Sequence, residues 1–480
     1  LAWPIIALAF WGTPRKSRLA AFLTLMVAFG FIADTLLECA GFVRYPARGA
    51  ILDHWAPLWI LTLWALFGTL FHRSMRWLLQ RPLVGFVLAA IGSPMSYLAG
   101  IGIGAVEIPW NETVTLAALG AVWASGMPLW LGWARRLDPW CDGPAKIGRA
   151  AWVGGAASAV LFAICGFEAL SGVGKASVRE GLEAIEQNRP IVATGQLALT
   201  KVVVPFEGEQ RLIPTFELDL PGVGEGAEKP PILLVHGTPS SLFVWTDVLF
   251  GEEGRGLIET GRRILAPDLP GHGATESRWS PYSFEKLVAF LDAYLESKGI
   301  EKAVVVGHSY GGEVAWRFAV RHPGRVERLV LIASSGYRRT AEETPEEERI
   351  LKQHPLAYWG RHLVTRESTE KVLEISFVDG VPPGEAEENY VLVKNLDNWR
   401  AMVELARAEE GLWEERILEI RKPTLILWGE DDGNFPIDSH AVRFARDIPG
   451  AKLVRVPDCN HYVPVEKPDV VAREIAAFLE

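Results

Sequence analysis

Cysteine is scarce: Cys39, Cys141, Cys165 and Cys459 are the four in 480 residues, and none forms a CxxC pair. That pattern supports neither a disulfide framework nor a zinc site, so no metal or other cofactor is expected. A surplus of basic charge is also missing; 48 Lys and Arg stand against 58 Asp and Glu, a net charge of −10. A nucleic-acid partner requires a basic surface to displace condensed counterions, and none is expected here. The acidity is uneven. Residues 1–172 hold 12 basic and 8 acidic side chains, against 36 and 50 in the rest. Two physical environments are implied, and more than one folding unit, since single cores stop growing at roughly 250–300 residues.

Polar interruptions are what the first part lacks. The runs Leu19 to Val43, Trp55 to Phe71, Leu83 to Val106 and Thr113 to Trp133 each suit a hydrocarbon core of ~30 Å, which takes about 20 helical residues. Ala150 to Leu170 qualifies as a fifth, and residue 1 is Leu rather than Met, so this count is a lower bound. Trp55, Trp77, Trp110, Trp133 and Trp140 sit near run ends, where amphipathic rings favour the headgroup level. The loops with Arg15, Lys16 and Arg18, with Arg73, Arg76 and Arg81, and with Arg135, Arg136, Lys146 and Arg149 alternate with poorly basic ones. The basic set should be cytoplasmic. If Ala150 to Leu170 then crosses, the remainder lies outside the cytoplasm of a bacterial inner membrane.

Asp34 and Glu38, four apart within one run, share a helix face. Intramembrane carboxylates are costly, so they mark either a functional site or a bundle-facing pair satisfied by neighbouring helices. The phrases PLWILTLWALFGTLFHRSMRWL and IGSPMSYLAGIGIGA resemble a family of uncharacterised bacterial integral membrane proteins, over most of residues 1–135. That resemblance implies no activity.

After Leu170 the pattern changes. Two β-like segments, TGQLALTKVVVPF and RLIPTFELDL, precede apolar runs ILLVHG, RRILAPD, AVVVGHS, RLVLIASS, TLILWGE and AKLVRVP, which alternate with helix-like stretches. Such alternation predicts a mostly parallel sheet with helices on both faces, its functional groups at the carboxyl ends of the strands.

Gly307-x-Ser309-x-Gly311 follows AVVV and precedes EVAWRFAV, the strand-turn-helix setting of a nucleophile elbow. A serine hydroxyl needs a base, and His461, just after AKLVRVP, is the best placed. His236, His272 and His308 fall in turns and at the variable elbow position, and are expected to be structural. The imidazole needs an acid. Asp432 is preferred, with Asp431 and then Asp458 as alternatives; its place in WGEDD resembles the W-G-x-x-D strand end of α/β-hydrolases. Backbone N–H groups for an oxyanion are expected from Tyr310 and, because Pro239 has none, from Thr238. PDLPGHG is expected to shape the site without chemistry.

Residues 226–480 thereby resemble α/β-hydrolases of the capped esterase and epoxide-hydrolase-like superfamily. HGTPSSLFVW is similar to the loop of haloalkane dehalogenases and epoxide hydrolases, which use an aspartate where Ser309 stands. The resemblance therefore implies ester-like acyl transfer. About 85 residues separate RLVLIASS from TLILWGE, far beyond the usual 2–6, and their helical patterns suggest a cap. Trp359, Phe377, Trp399, Met402 and Trp413 are candidates to line its pocket, while AEETPEEER reads as a solvated acidic helix start.

The expected organisation is a transmembrane helical domain at 1–172, a linker at 173–190 and an α/β-hydrolase domain at 191–480, with the cap about 337–418. The expected activity is that of a membrane-anchored serine hydrolase on lipid-like or small esters or thioesters. Carbon-carbon hydrolysis, a peroxidase-like reaction, and a transport or lipid-binding protein with an accessory hydrolase domain are the alternatives.

Overall fold

The computed structural model describes residues 13–39, 43, 45, 58–72, 74–102, 106, 112–138 and 175–480, apart from 188, 252–254, 276, 278, 355–356, 383 and 409–412. Two units divide the chain, Leu1–Gly172 and Val173–Glu480.

The first unit is helical: α1 (Lys16–Cys39), α2 (Leu58–Phe71), α3 (Pro82–Gly102) and α4 (Glu112–Arg136). By length and composition, Lys16–Glu38 in α1 and Thr115–Arg136 in α4 are apolar enough to cross a membrane, while the apolar stretches Ile60–Phe71 and Pro82–Leu98 are shorter. Of the four spans expected here, two therefore meet the criterion among the described residues. The described part of α2 has 14 residues, about 21 Å at 1.5 Å per residue; residues 55–57 of the expected span lie outside the described residues. The expected span Ala150 to Leu170 lies outside the described residues. Asp34 is buried, and its carboxylate accepts hydrogen bonds from Tyr45 Oη at 2.6 Å, Tyr97 Oη at 2.8 Å and Trp64 Nε1 at 2.7 Å. Three donors satisfy a group that an apolar bundle could not otherwise hold.

The second unit begins with α5 (Lys175–Ile185) and builds one sheet from β1 (Leu197–Phe206), β2 (Glu209–Leu220), β3 (Ile232–Val235), β4 (Ile264–Pro267), β5 (Ala303–His308), β6 (Val326–Ile332), β7 (Thr424–Gly429) and β8 (Lys452–Val456). Their spatial order is β1-β2-β4-β3-β5-β6-β7-β8. The β1–β2 and β2–β4 pairs are antiparallel, and every other pair is parallel. Every residue of β3, β4, β5 and β7 is buried. That is why these strands read as unbroken apolar runs instead of alternating ones, each buried Val, Leu or Ile contributing roughly 1.5–3 kcal/mol.

Helices α6 (Phe284–Ser297) and α7 (Tyr310–Arg321) flank β5 in sequence, and Ser283 caps α6 by accepting from Lys286 N at 3.3 Å. Between β6 and β7 lie α8 (Glu346–Gln353), α9 (Arg366–Leu373), α10 (Glu385–Lys394) and α11 (Leu396–Ala408), the helical insertion that the segment's length implies. Helices α12 (Ala441–Asp447) and α13 (Pro468–Leu479) complete the unit.

The insertion is fastened to the body by buried carboxylates. Glu388 on α10 accepts from Ser241 Oγ at 2.6 Å, and Glu404 on α11 accepts from Ser280 Oγ and Tyr282 N, each at 2.6 Å. Burial, then the charge of Glu388, pushes Glu385 up to about 8 and Glu186 up to about 7. Burial likewise pushes Glu404 on α11 up to about 7. The usual value is 4.5, so the folded chain holds these protons where the unfolded chain has lost them. The stability they confer is complete below about pH 4.5 and is lost as pH rises through about 7 to 8. The melting temperature of this unit in the full chain is accordingly expected to fall from about pH 6 to about pH 9, and Glu385→Gln to flatten the fall. A melting temperature independent of pH across that window contradicts this.

Candidate active site

The elbow is strained where it carries the serine. Ser309 has φ 57° and ψ −126°, a conformation that costs a residue with a Cβ of order 1–3 kcal/mol. Its neighbours hold it there: Ser309 N donates to Ile332 O at 3.0 Å, and its carbonyl accepts from Gly312 N at 2.9 Å. Gly311 is required because a Cβ there would lie 2.2 Å from the His236 carbonyl oxygen. A side chain would drive α7 away from the end of β3.

Three side chains from three strand ends meet in a row. Ser309 Oγ lies 3.0 Å from His461 Nε2, and His461 Nδ1 lies 3.1 Å from Asp432 Oδ2. All three residues are buried. Ionised Asp432 only accepts, so Nδ1 carries the proton and Nε2 is left to accept from the serine hydroxyl. The other carboxylate oxygen of Asp432 accepts from Asn434 N at 2.9 Å and Phe435 N at 2.8 Å, which fixes the plane of the group. Asp431 and Asp458, the alternative acids, are exposed.

The loop after β3 passes directly over the serine. A Cβ on Gly237 would lie 2.8 Å from Ser309 Cβ and 3.3 Å from Ser309 Oγ. Thr238 Oγ1 is hydrogen-bonded to His272 Nε2. His236 donates from Nδ1 to Gly237 O at 2.8 Å and accepts from Leu269 N at 3.0 Å, while Asp268 accepts from Leu242 N and Ala274 N, each at 2.7 Å. PDLPGHG thus braces the loop. Thr238 and Tyr310 both line the cavity above Ser309.

That cavity has a volume of about 430 Å³ and is walled mainly by the insertion, including Leu351, Val364, Leu373, Val393, Trp399 and Met402. Of the other aromatic candidates, Phe377 stacks on Tyr462 at 4.8 Å, and Trp413 lies against the guanidinium groups of Arg317 and Arg416. The Trp359 side chain lies outside the described residues. Among the described residues, no group of three or more His, Cys, Asp or Glu is arranged to hold a metal ion.

Several supporting groups escaped sequence reasoning. His308 donates from Nε2 to the His461 carbonyl at 2.9 Å, and burial pushes it down to about 3, so it stays neutral beneath the base. Asn460 accepts from Gly433 N at 2.9 Å and donates to Ile375 O at 3.0 Å, binding the acid loop, the base loop and the insertion together. Its position immediately before His461 was the available signal. The acidic run departs from expectation: Glu342, Glu346 and Glu347 are exposed, but Glu348 turns inward to accept from Tyr310 Oη at 3.1 Å.

A model of the alpha/beta hydrolase family matches residues 232–474. The chain belongs to this family. The hydrolase also matches, over residues 1–129, the model of a protein family of unknown function (DUF2878). It is 28% identical over 263 residues to an uncharacterized hydrolase, YugF, of Bacillus subtilis (strain 168), covering 52% of this chain and 89% of that one. It is 28% identical over 287 residues to a 2-hydroxymuconate semialdehyde hydrolase of Pseudomonas putida, covering 57% and 95%. A proposed lipase, Lip1, of Acinetobacter baumannii AYE shares the fold with a TM-score of 0.50 at 22% identity, covering 62% of this chain and 95% of that one.

Proposed function

We propose that this alpha/beta hydrolase is a membrane-anchored serine hydrolase that cleaves carboxylic esters through an acyl-enzyme on Ser309. The observation that carries the reading is the hydrogen-bonded row Ser309–His461–Asp432 at the floor of an apolar-walled cavity. As Ser309 Oγ attacks the ester carbonyl, its proton passes to His461 Nε2, and Asp432 stabilises the imidazolium. The backbone N–H groups of Tyr310 and Thr238 would receive the developing oxyanion. Collapse breaks the bond to the alcohol, which leaves with the proton from Nε2. Water then gives a proton to Nε2 as it attacks the acyl carbon; the bond to Ser309 Oγ breaks, Oγ takes that proton back, and the acid leaves.

The apolar helices of the first unit supply the anchor in this reading, with the hydrolase outside the cytoplasm. Tethering concentrates an enzyme on its substrate only if the substrate also partitions into lipid, which favours lipid-like esters. In purified full-length protein, 4-nitrophenyl octanoate is expected to exceed the acetate in kcat/KM by at least about tenfold, since each buried methylene contributes ~0.8 kcal/mol. Equal or better turnover of the acetate contradicts the lipid-like assignment. A second reading keeps the same residues but cleaves a carbon-carbon bond; similarity to a 2-hydroxymuconate semialdehyde hydrolase favours it.

A further inference from the structure

We infer that the cavity admits uncharged acyl groups and refuses carboxylated ones, and that Glu348 sets this selection by neutralising Arg339. The inference rests on the ester-hydrolase reading and names its substrate class.

Arg339 is the one Lys or Arg among the described residues that line the cavity. Its side chain is only 1% exposed. Its guanidinium pairs with Glu348 Oε1, donates from Nη1 to Asn434 O at 3.0 Å, and lies 4.4 Å from the Phe435 ring centroid. Glu348 Oε1 in turn takes Tyr310 Oη at 3.1 Å and Lys352 Nζ at 3.0 Å. One carboxylate on α8 therefore meets the cation, the side chain next to the nucleophile, and a second ammonium group.

The consequence follows from desolvation. A carboxylate entering this space sheds its water among Leu, Val and Trp side chains, and the cation that could repay that loss already carries a carboxylate. Glu347, exposed at the lining, adds repulsion. An anion without a partner in an apolar site costs several kcal/mol, whereas an alkyl chain gains from the same walls. Removing the charge of Glu348 reverses the balance, leaving Arg339 at the lining to receive an anionic acyl terminus. Glutamine keeps an oxygen to accept from Tyr310 while removing the charge.

The test uses purified full-length protein and two 4-nitrophenyl esters of equal chain length, the hexanoate and the hydrogen adipate. In the wild type the hexanoate is expected to be favoured in kcat/KM by about a hundredfold, and in Glu348→Gln the adipate-to-hexanoate ratio to rise by at least about tenfold, as expected for one uncovered buried charge. Glu348→Gln combined with Arg339→Gln is expected to return the ratio to the wild-type side. A merely structural disturbance lowers both rates and leaves the ratio unchanged; that result, or equal use of both esters by the wild type, overturns the inference. Should Glu348→Gln fail to fold, Arg339→Gln alone is expected to lower the ratio further, and a rise overturns it. If the wild type turns over neither ester, the ester-hydrolase reading falls separately. Stabilisation by free adipate then decides the selection, expected in Glu348→Gln and not in the wild type; equal stabilisation of both refutes it.

Discussion

Replacing Ser309 with alanine is expected to lower kcat on an activated ester by about 10⁴ to 10⁶, leaving the residue of catalysis that oxyanion donors and binding provide. The size follows from the role. Without Oγ there is no nucleophile 3.0 Å from His461 Nε2, and no covalent intermediate forms. The loss should fall on kcat with little change in KM, because the cavity walls of the insertion are untouched. Steady-state kinetics on the 4-nitrophenyl ester read this directly; a variant retaining a tenth or more of the wild-type rate contradicts it.

Asp432→Asn is expected to cost about 10³ to 10⁴ in kcat while leaving the fold intact. The hydrogen bonds give the reason. Asn434 N and Phe435 N both donate to Oδ1 of Asp432, so the amide oxygen of an asparagine would take that side and its NH₂ would face His461. An NH₂ cannot accept from Nδ1–H. The imidazole would shift its proton to Nε2, where it blocks acceptance from Ser309. Asp431→Asn, at an exposed site one residue away, is expected to change kcat less than about threefold, in keeping with surface substitutions. Equal losses in the two variants would contradict the assignment of the acid.

The sheet was legible because its central strands are buried on both faces. Runs such as ILLV and TLILW leave little alternative to a parallel sheet, and the turn residues at their ends locate the loops. In the first unit, two of the expected spans meet the length and apolarity criterion among the described residues. Within the site, residues whose chemistry demands a particular type were legible: a serine between glycines, a histidine after the last strand, an aspartate after the one before it.

Residues that act through position were not legible. His308, Asn460 and Glu348 are ordinary polar letters whose roles depend on chain segments up to 153 residues away, as for His308 and His461. Glu348 illustrates the reason best. It stands in a run of glutamates that composition assigns to solvent, and only the helix phase of α8 turns that one side chain toward Arg339 and Tyr310.

The central claim is that Ser309 is the nucleophile, and covalent capture tests it most directly. Full-length protein treated with a fluorophosphonate and digested for mass spectrometry should carry one phosphonyl group on the peptide containing Ser309, and Ser309→Ala should carry none. An unmodified wild-type protein, or labelling undiminished in Ser309→Ala, would contradict the account.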